Sequence, residues 1–169
     1  IAYKVDENGQ TIPLDFTTAA EKVMPAVVFI RSTQDQSSTG EETLNVDPFR
    51  EFFGPGPRAQ RGPSQSSGSG VIINESGYIV TNNHVVQDAD IVEVTLFDNR
   101  TLKAEVIGTD PDTDLALIKI KADGLHYLSF VDSDKAKVGE WVLAVGNPYN
   151  LNSTVTAGII SAKGRNINI

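Results

Sequence analysis

From Gly70 onward the chain is a succession of short apolar runs, each stopped by Gly, Asp or Asn. Val71–Asn74 and Tyr78–Asn82 flank Glu75-Ser76-Gly77, where Gly77 supplies a positive φ, so the pair predicts a hairpin. In Asp90–Leu96, Val92, Val94 and Leu96 alternate with Glu93 and Thr95, the period-two signature of a half-buried strand. An Asp98-Asn99 turn leads to a second alternating strand, with Leu102, Ala104 and Val106 opposed to Lys103 and Glu105. Leu115, Leu117 and Ile120 predict another strand, and Trp141–Val145 and Thr154–Ala162 two more. Nothing repeats at a fixed long period, and helices are too scarce for alternating βα units. The expected class is all-β, an antiparallel barrel or sandwich. A small closed barrel is preferred, because closure removes exposed strand edges.

The N-terminal third has a different texture. Residues 1–14 are polar and aperiodic and read as an arm or a short edge segment. Asp15 is placed to cap a short helix over Phe16–Met24, where Phe16, Ala19, Ala20 and Val23 recur at helical spacing and Pro25 stops the run. So short a helix must be held by tertiary packing. Ala26–Arg31 reads as a strand. Gln34–Ser69 is rich in Ser, Gln, Gly and Pro and exceeds an ordinary connection, which predicts a flexible insertion. Within it stands Asp47-Pro48-Phe49-Arg50-Glu51-Phe52-Phe53-Gly54-Pro55. Phe49, Phe52 and Phe53 are either incidental aromatics of a disordered loop or anchors for a groove on this subunit or a neighbour. Each gains roughly 1.5–3 kcal/mol on full burial.

Composition narrows the function classes. The 169 residues are enough for one core or slightly more, and 40% hydrophobic with 21% charged residues is ordinary globular usage. A net charge of −8 with dispersed Lys and Arg disfavours an extended nucleic-acid footprint or an anionic-membrane patch. No window approaches the length of an apolar membrane-spanning helix, and the absence of a basic leader or initial Met reads as a mature or trimmed product. With no cysteine, disulfides and thiolate chemistry are excluded. Asp110 and Asp112 flank Pro111 as turn residues without metal-ligand spacing, so no metal cluster is expected there.

The functional signal lies in Ser69–Asp114. His84 directly follows one apolar strand, and Asp114 stands at the mouth of another, thirty positions on. An imidazole exchanging protons and a carboxylate orienting it are two of the three groups of nucleophilic acyl transfer. Gly68-Ser69-Gly70-Val71-Ile72-Ile73, Gly77-Tyr78-Ile79-Val80-Thr81-Asn82-Asn83-His84-Val85-Val86, Asp110-Pro111-Asp112-Thr113-Asp114-Leu115-Ala116-Leu117-Ile118-Lys119-Ile120 and Val138-Gly139-Glu140-Trp141-Val142-Leu143-Ala144-Val145-Gly146-Asn147-Pro148 occur in order. Together with Thr154–Ala162 and Gly164, they resemble the HtrA/DegP family of bacterial envelope serine proteases. The resemblance is dense over about 70–164, weaker over 15–33 and loose in the insertion.

The resemblance implies a trypsin-like domain of two six-stranded barrels with the active site between them. It makes 15–150 the first barrel with its leading helix and its insertion at about 34–69, and 151–169 the start of the second. It implies that His84 is the general base and Asp114 its orienter, with no cofactor. His126, in Gly124-Leu125-His126-Tyr127, has no comparable motif and reads as structural or exposed. The family's nucleophile sits in an Asn-Ser-Gly-Gly-like segment that also builds the oxyanion hole, and no such segment occurs here. Ser69, Ser153 and Ser161 do not substitute for it, so this chain alone is expected to be proteolytically inactive. The implied partners are unfolded envelope polypeptides, a homotrimer or higher oligomer of the intact protein, and a complementary C-terminal fragment. The implied compartment is the periplasm or cell envelope. The insertion, with Phe49, Phe52 and Phe53, becomes a candidate regulatory or oligomer loop. Two competing expectations remain: a noncatalytic protein-binding or chaperone module, and a purely structural β-domain with His84 and Asp114 far apart.

Overall fold

The computed structural model describes residues 3–5, 7–13, 15–34, 64–147 and 153–164. The phenylalanine-bearing part of the insertion, including Phe49, Phe52 and Phe53, lies outside the described residues. The arm forms a two-stranded antiparallel ribbon of β1 (Tyr3–Val5) and β2 (Thr11–Pro13), turned at Gly9 with a φ of 77°. Helix α1 (Thr17–Val23) starts one residue later than the pattern suggests. Asp15 accepts from the Thr17 backbone N–H at 2.8 Å and from its hydroxyl at 2.6 Å, so it braces the entry to the helix from one residue before the formal cap. Those bonds hold the Asp15 carboxyl below its ordinary pKa. A 3-10 turn, Met24–Ala26, carries Pro25 in its first turn, where a missing N–H costs nothing.

Six strands then close a barrel: β3 (Val27–Gln34), β4 (Ser64–Ile72), β5 (Tyr78–Asn82), β6 (Ile91–Thr95), β7 (Thr101–Asp110) and β8 (Leu115–Lys119). Their order around the barrel is β3-β4-β5-β8-β7-β6, and every pairing is antiparallel. The alternation seen in the sequence is the inside–outside code. Val28, Ile30, Ile79, Val94 and Ile118 are fully buried, and Ile72 and Ile120 nearly so. Strand crowding requires small residues at one point. A Cβ on Gly70 would lie 2.7 Å from both Ile30 Cδ1 and Ile79 Cγ2. The β4–β5 turn needs Gly77, whose φ is 82° and whose absent side chain makes room for the Ile120 carbonyl. The Asp98-Asn99 turn forms as the sequence indicates, with Asn99 at a φ of 68° and the Asp98 carboxylate accepting from the Arg100 backbone at 3.1 Å.

After β8 the chain crosses the barrel, Leu128 N–H donating to the Ile72 carbonyl at 2.9 Å. A 3-10 turn (Ser133–Lys135) precedes β9 (Trp141–Gly146) and β10 (Thr154–Ile159). Among the described residues these two pair only with each other, from Trp141↔Ile159 to Gly146↔Thr154. Trp141–Gly146 therefore stands beside the barrel, not among its strands. Phe16 meets Trp141 with ring centroids 5.4 Å apart and an interplanar angle of 54°, an arrangement favoured by the aromatic quadrupoles.

Candidate active site

Two barrel edges converge on one carboxylate. Strand β5 ends at Asn82 and runs into the helical turn α2 (Asn83–Val86), whose Asn83, Val85 and Val86 are buried. Burying these three fixes the turn and leaves the His84 side chain 66% exposed on the outer face. The turn is anchored beneath by Ser32, whose hydroxyl donates to the Val85 carbonyl at 2.5 Å. Register supplies the second edge, since Asn82 stands opposite Leu115, the first residue of β8.

Asp114 ends the β7–β8 turn. Asp110 shapes that turn, accepting from the Asp112 N–H at 3.1 Å and the Thr113 hydroxyl at 2.7 Å, the turn-forming role its sequence position suggests. Asp114 itself takes a φ of 53°, a left-handed conformation that aspartate tolerates better than most side chains. Its carbonyl accepts from the Asn83 N–H and from Asn82 Nδ2, both at 3.1 Å, stitching the turn to the end of β5.

Both carboxylate oxygens are engaged. Oδ1 accepts the His84 backbone N–H at 3.0 Å, and Oδ2 lies 2.8 Å from His84 Nδ1 and 3.1 Å from Asn82 Nδ2. The His84 backbone N–H is the largest influence drawing the Asp114 pKa below its ordinary value. Partial burial opposes it, and the His84 ring and Asn82 amide assist. An ionised carboxylate only accepts, so the proton between the two rests on Nδ1. In the neutral imidazole that leaves the Nε2 lone pair free to receive a proton from a third group.

The structure thus brings His84 and Asp114 into contact. It also adds Asn82, which the sequence presents as one residue of a motif and the structure makes a second clamp on Asp114. The available signal was an Asn directly before a helical turn, an ordinary capping position; here its amide serves the carboxylate instead. His126 is exposed and lies with Pro25, Leu96, Phe97 and Leu125 along a shallow depression. Ser69 lies in β4 with its hydroxyl accepting from the Asn147 N–H at 2.8 Å, and Ser161 is exposed. Among the described residues no group of three or more His, Cys, Asp and Glu side chains is arranged to hold a metal ion.

Residues 68–168 match the model of the trypsin-like peptidase domain family. A probable periplasmic serine endoprotease DegP-like of Marinomonas sp. (strain MWYL1) is 47% identical over 90% of this chain and 36% of its own length. Its counterpart in Chlamydia trachomatis is 43% identical, over 89% of this chain and 34% of its own. The chain therefore spans about a third of the length of the curated relatives it matches. Among solved structures, a variant of the HtrA-type protease AlgW with a decapeptide superposes with a TM-score of 0.74 at 38% identity, over 92% of this chain and 47% of that one. The serine endoprotease from Yersinia pestis gives 0.66 at 34% identity, over 90% and 46%. With its closed six-stranded barrel and these matches, the chain belongs to the trypsin-like peptidases, in their HtrA/DegP-like branch.

Proposed function

We propose that this chain supplies the base and its orienter to an ATP-independent serine endopeptidase that degrades unfolded or misfolded proteins of the bacterial envelope. The observation that carries the reading is the 2.8 Å contact between His84 Nδ1 and Asp114 Oδ2, which leaves the Nε2 lone pair of the neutral imidazole as the proton acceptor. His84 takes the hydroxyl proton of a serine as it attacks a peptide carbonyl and returns a proton to the leaving amine. Asp114 fixes the tautomer and stabilises the imidazolium, while Asn82 and the His84 backbone N–H keep the carboxylate in place. The nucleophile and the oxyanion donors belong to an Asn-Ser-Gly-Gly-like segment that none of these 169 residues supplies. Taken alone, the chain performs no covalent step.

The β9–β10 pairing supports starting the second barrel at Trp141, ahead of the boundary near residue 150 suggested by the sequence. The periplasmic assignment rests on the names of the DegP-like relatives, and a peptide substrate is in keeping with the decapeptide bound by the AlgW variant. Assembly as a trimer or larger, with Phe49, Phe52 and Phe53 as loop anchors, belongs to the same proposal.

The test is cleavage of an unfolded protein, with fluorophosphonate labelling of the nucleophile, by this chain alone and joined to a serine-bearing second barrel. Activity is expected only in the joined form. His84→Ala should abolish it, and Asp114→Asn should lower kcat by about 10⁴-fold, the loss seen when the orienter of such a triad no longer imposes the right tautomer. Cleavage by the chain alone, or a fully active His84→Ala protein, would overturn the reading. Binding of unfolded chains without cleavage by the joined form would replace it with a noncatalytic module.

A further inference from the structure

Strand β4 connects the His84 turn to the base of the β9–β10 hairpin, with Ser66 on one face and Ser69 on the other. Ser66 Oγ donates to the His84 carbonyl at 3.5 Å, and Gly68 packs so closely on Val85 that an added Cβ would stand 2.5 Å from Val85 Cγ2. Three residues beyond Ser66, about 10 Å along the strand, comes Ser69. Its carbonyl accepts the Thr81 hydroxyl at 2.8 Å, tying it to the strand that leads into His84. Its hydroxyl accepts the Asn147 backbone N–H, also at 2.8 Å. Gly146 permits the approach, since a Cβ there would crowd Ser69 Oγ at 3.3 Å.

The hairpin base carries two buried polar side chains. The last ladder pair is Gly146↔Thr154, so the next rung sets Asn147 opposite Ser153. Asn147 is only 8% exposed, and both Asn147 Oδ1 and Ser153 Oγ are buried without a hydrogen-bond partner among the described residues. Buried polar atoms are seldom left in that state, so both atoms are open to partners outside the described residues. One hydroxyl, that of Ser69, holds the rung at a set height against the strand backing His84.

From this geometry we infer that Ser69 is a positioning residue for the hydrolytic reaction. It does not touch the reacting atoms. It fixes the base of β9–β10, and through it the chain that joins the hairpin, relative to His84. The inference rests on the protease reading above and adds to it a residue outside the base and its orienter.

In the protein joined to its serine-bearing region, Ser69→Ala is expected to lower kcat about ten- to a hundredfold, the scale of an ångström-sized misplacement. KM should stay within about twofold, because substrate contacts are not removed. The shape of the pH–rate profile should not change, since the His84–Asp114 contact is untouched. Ser69→Thr, which keeps the hydroxyl, should recover most of kcat. In the 169-residue chain, Ser69→Ala should speed hydrogen exchange at the Asn147 amide and leave that of Ile118 unchanged. Wild-type kcat in Ser69→Ala, or a fall that follows a lowered Tm and is not recovered by Ser69→Thr, overturns the inference. His84→Ala in the same background keeps the two readings apart: turnover there defeats the protease reading, whereas a dead His84→Ala beside a fully active Ser69→Ala defeats only the positioning role.

Discussion

The six-stranded barrel and the β9–β10 hairpin are both antiparallel sheet rich in apolar side chains, yet the barrel alone encloses its apolar face. Around β3–β8 every strand has a neighbour on both sides, and Ile30, Ile79, Val94 and Ile118 are wholly removed from water. In the hairpin each strand has one neighbour among the described residues, and Trp141, Val142 and Ile159 remain 49%, 41% and 53% exposed. Alternation specifies which face a side chain takes; burial requires a second layer or a closed sheet to receive it. A two-stranded hairpin is marginal alone, so this one depends on Ser69, Phe16 and the flank of the barrel.

The largest effect that would sharpen the contrast comes from the core. Ile118→Ala should destabilise the barrel by about 2–5 kcal/mol, the range for deleting a buried aliphatic side chain without collapse of the site. Val142→Ala, the same kind of truncation on the open hairpin, should change stability by less than about 0.5 kcal/mol. Urea denaturation of both variants is the measurement. Equal losses would mean that the hairpin has a core of its own.

Adding volume separates the two regions next. At Gly70 a new methyl meets Ile30 and Ile79 side chains at 2.7 Å, so Gly70→Ala should cost about 1–3 kcal/mol through overpacking. Among the described residues nothing lies within 4 Å of a Cβ on Gly158 in β10. Gly158→Ala should be neutral or stabilise by up to about 1 kcal/mol by restricting the unfolded chain. A destabilising Gly158→Ala would place a neighbour over that face of the hairpin.

Acid should act on the barrel rim before the core. The folded state holds the Asp114 pKa below its ordinary value, so its contribution to stability is fully present above the unfolded pKa near 3.9. That contribution is lost as pH falls through the lower, folded pKa. Carboxyl-carbon NMR should show the Asp114–His84 contact surviving at pH 4 and releasing below it, with Asn82→Ala moving the release to higher pH. An Asp114 titration unaffected by Asn82→Ala would remove Asn82 from the clamp.

What the sequence made legible follows the same division. The barrel strands could be read because Val92, Val94 and Leu96, or Leu102 and Ala104, carry their facing in their spacing. The site could be read because His84 and Asp114 stand at strand ends that antiparallel pairing of β5 with β8 brings together. Pairing partners were less legible. The continuous apolar run of Trp141–Gly146 says that it is a strand and is silent on whether a barrel strand or β10 receives it. Single hydrogen bonds were the least legible: Asn82 to Asp114 and Ser69 to Asn147 depend on backbone placed by residues distant in sequence. Asp15 lies between these cases, as a helix-start residue recognised by type but acting one position earlier than a cap.

The smallest expected effect concerns the seam between the two regions. Trp141 is the sequence's single tryptophan, so its emission reports the hairpin alone. Its ring meets Phe16, just before α1, and β9 lies beside β3. Phe16→Leu keeps an apolar side chain and removes the tilted aromatic contact, which is worth about 0.5–1.5 kcal/mol beyond area burial. Because α1 buries none of its own residues, that loss should fall on hairpin docking. Trp141 emission should shift to the red in Phe16→Leu, while the barrel's urea midpoint moves far less than in Ile118→Ala. Unchanged emission would leave the Ser69 hydroxyl as the principal tether. A barrel midpoint lowered as far as in Ile118→Ala would mean that barrel and hairpin unfold as one unit, and the distinction between an enclosed and an open β region would then hold for packing but not for stability.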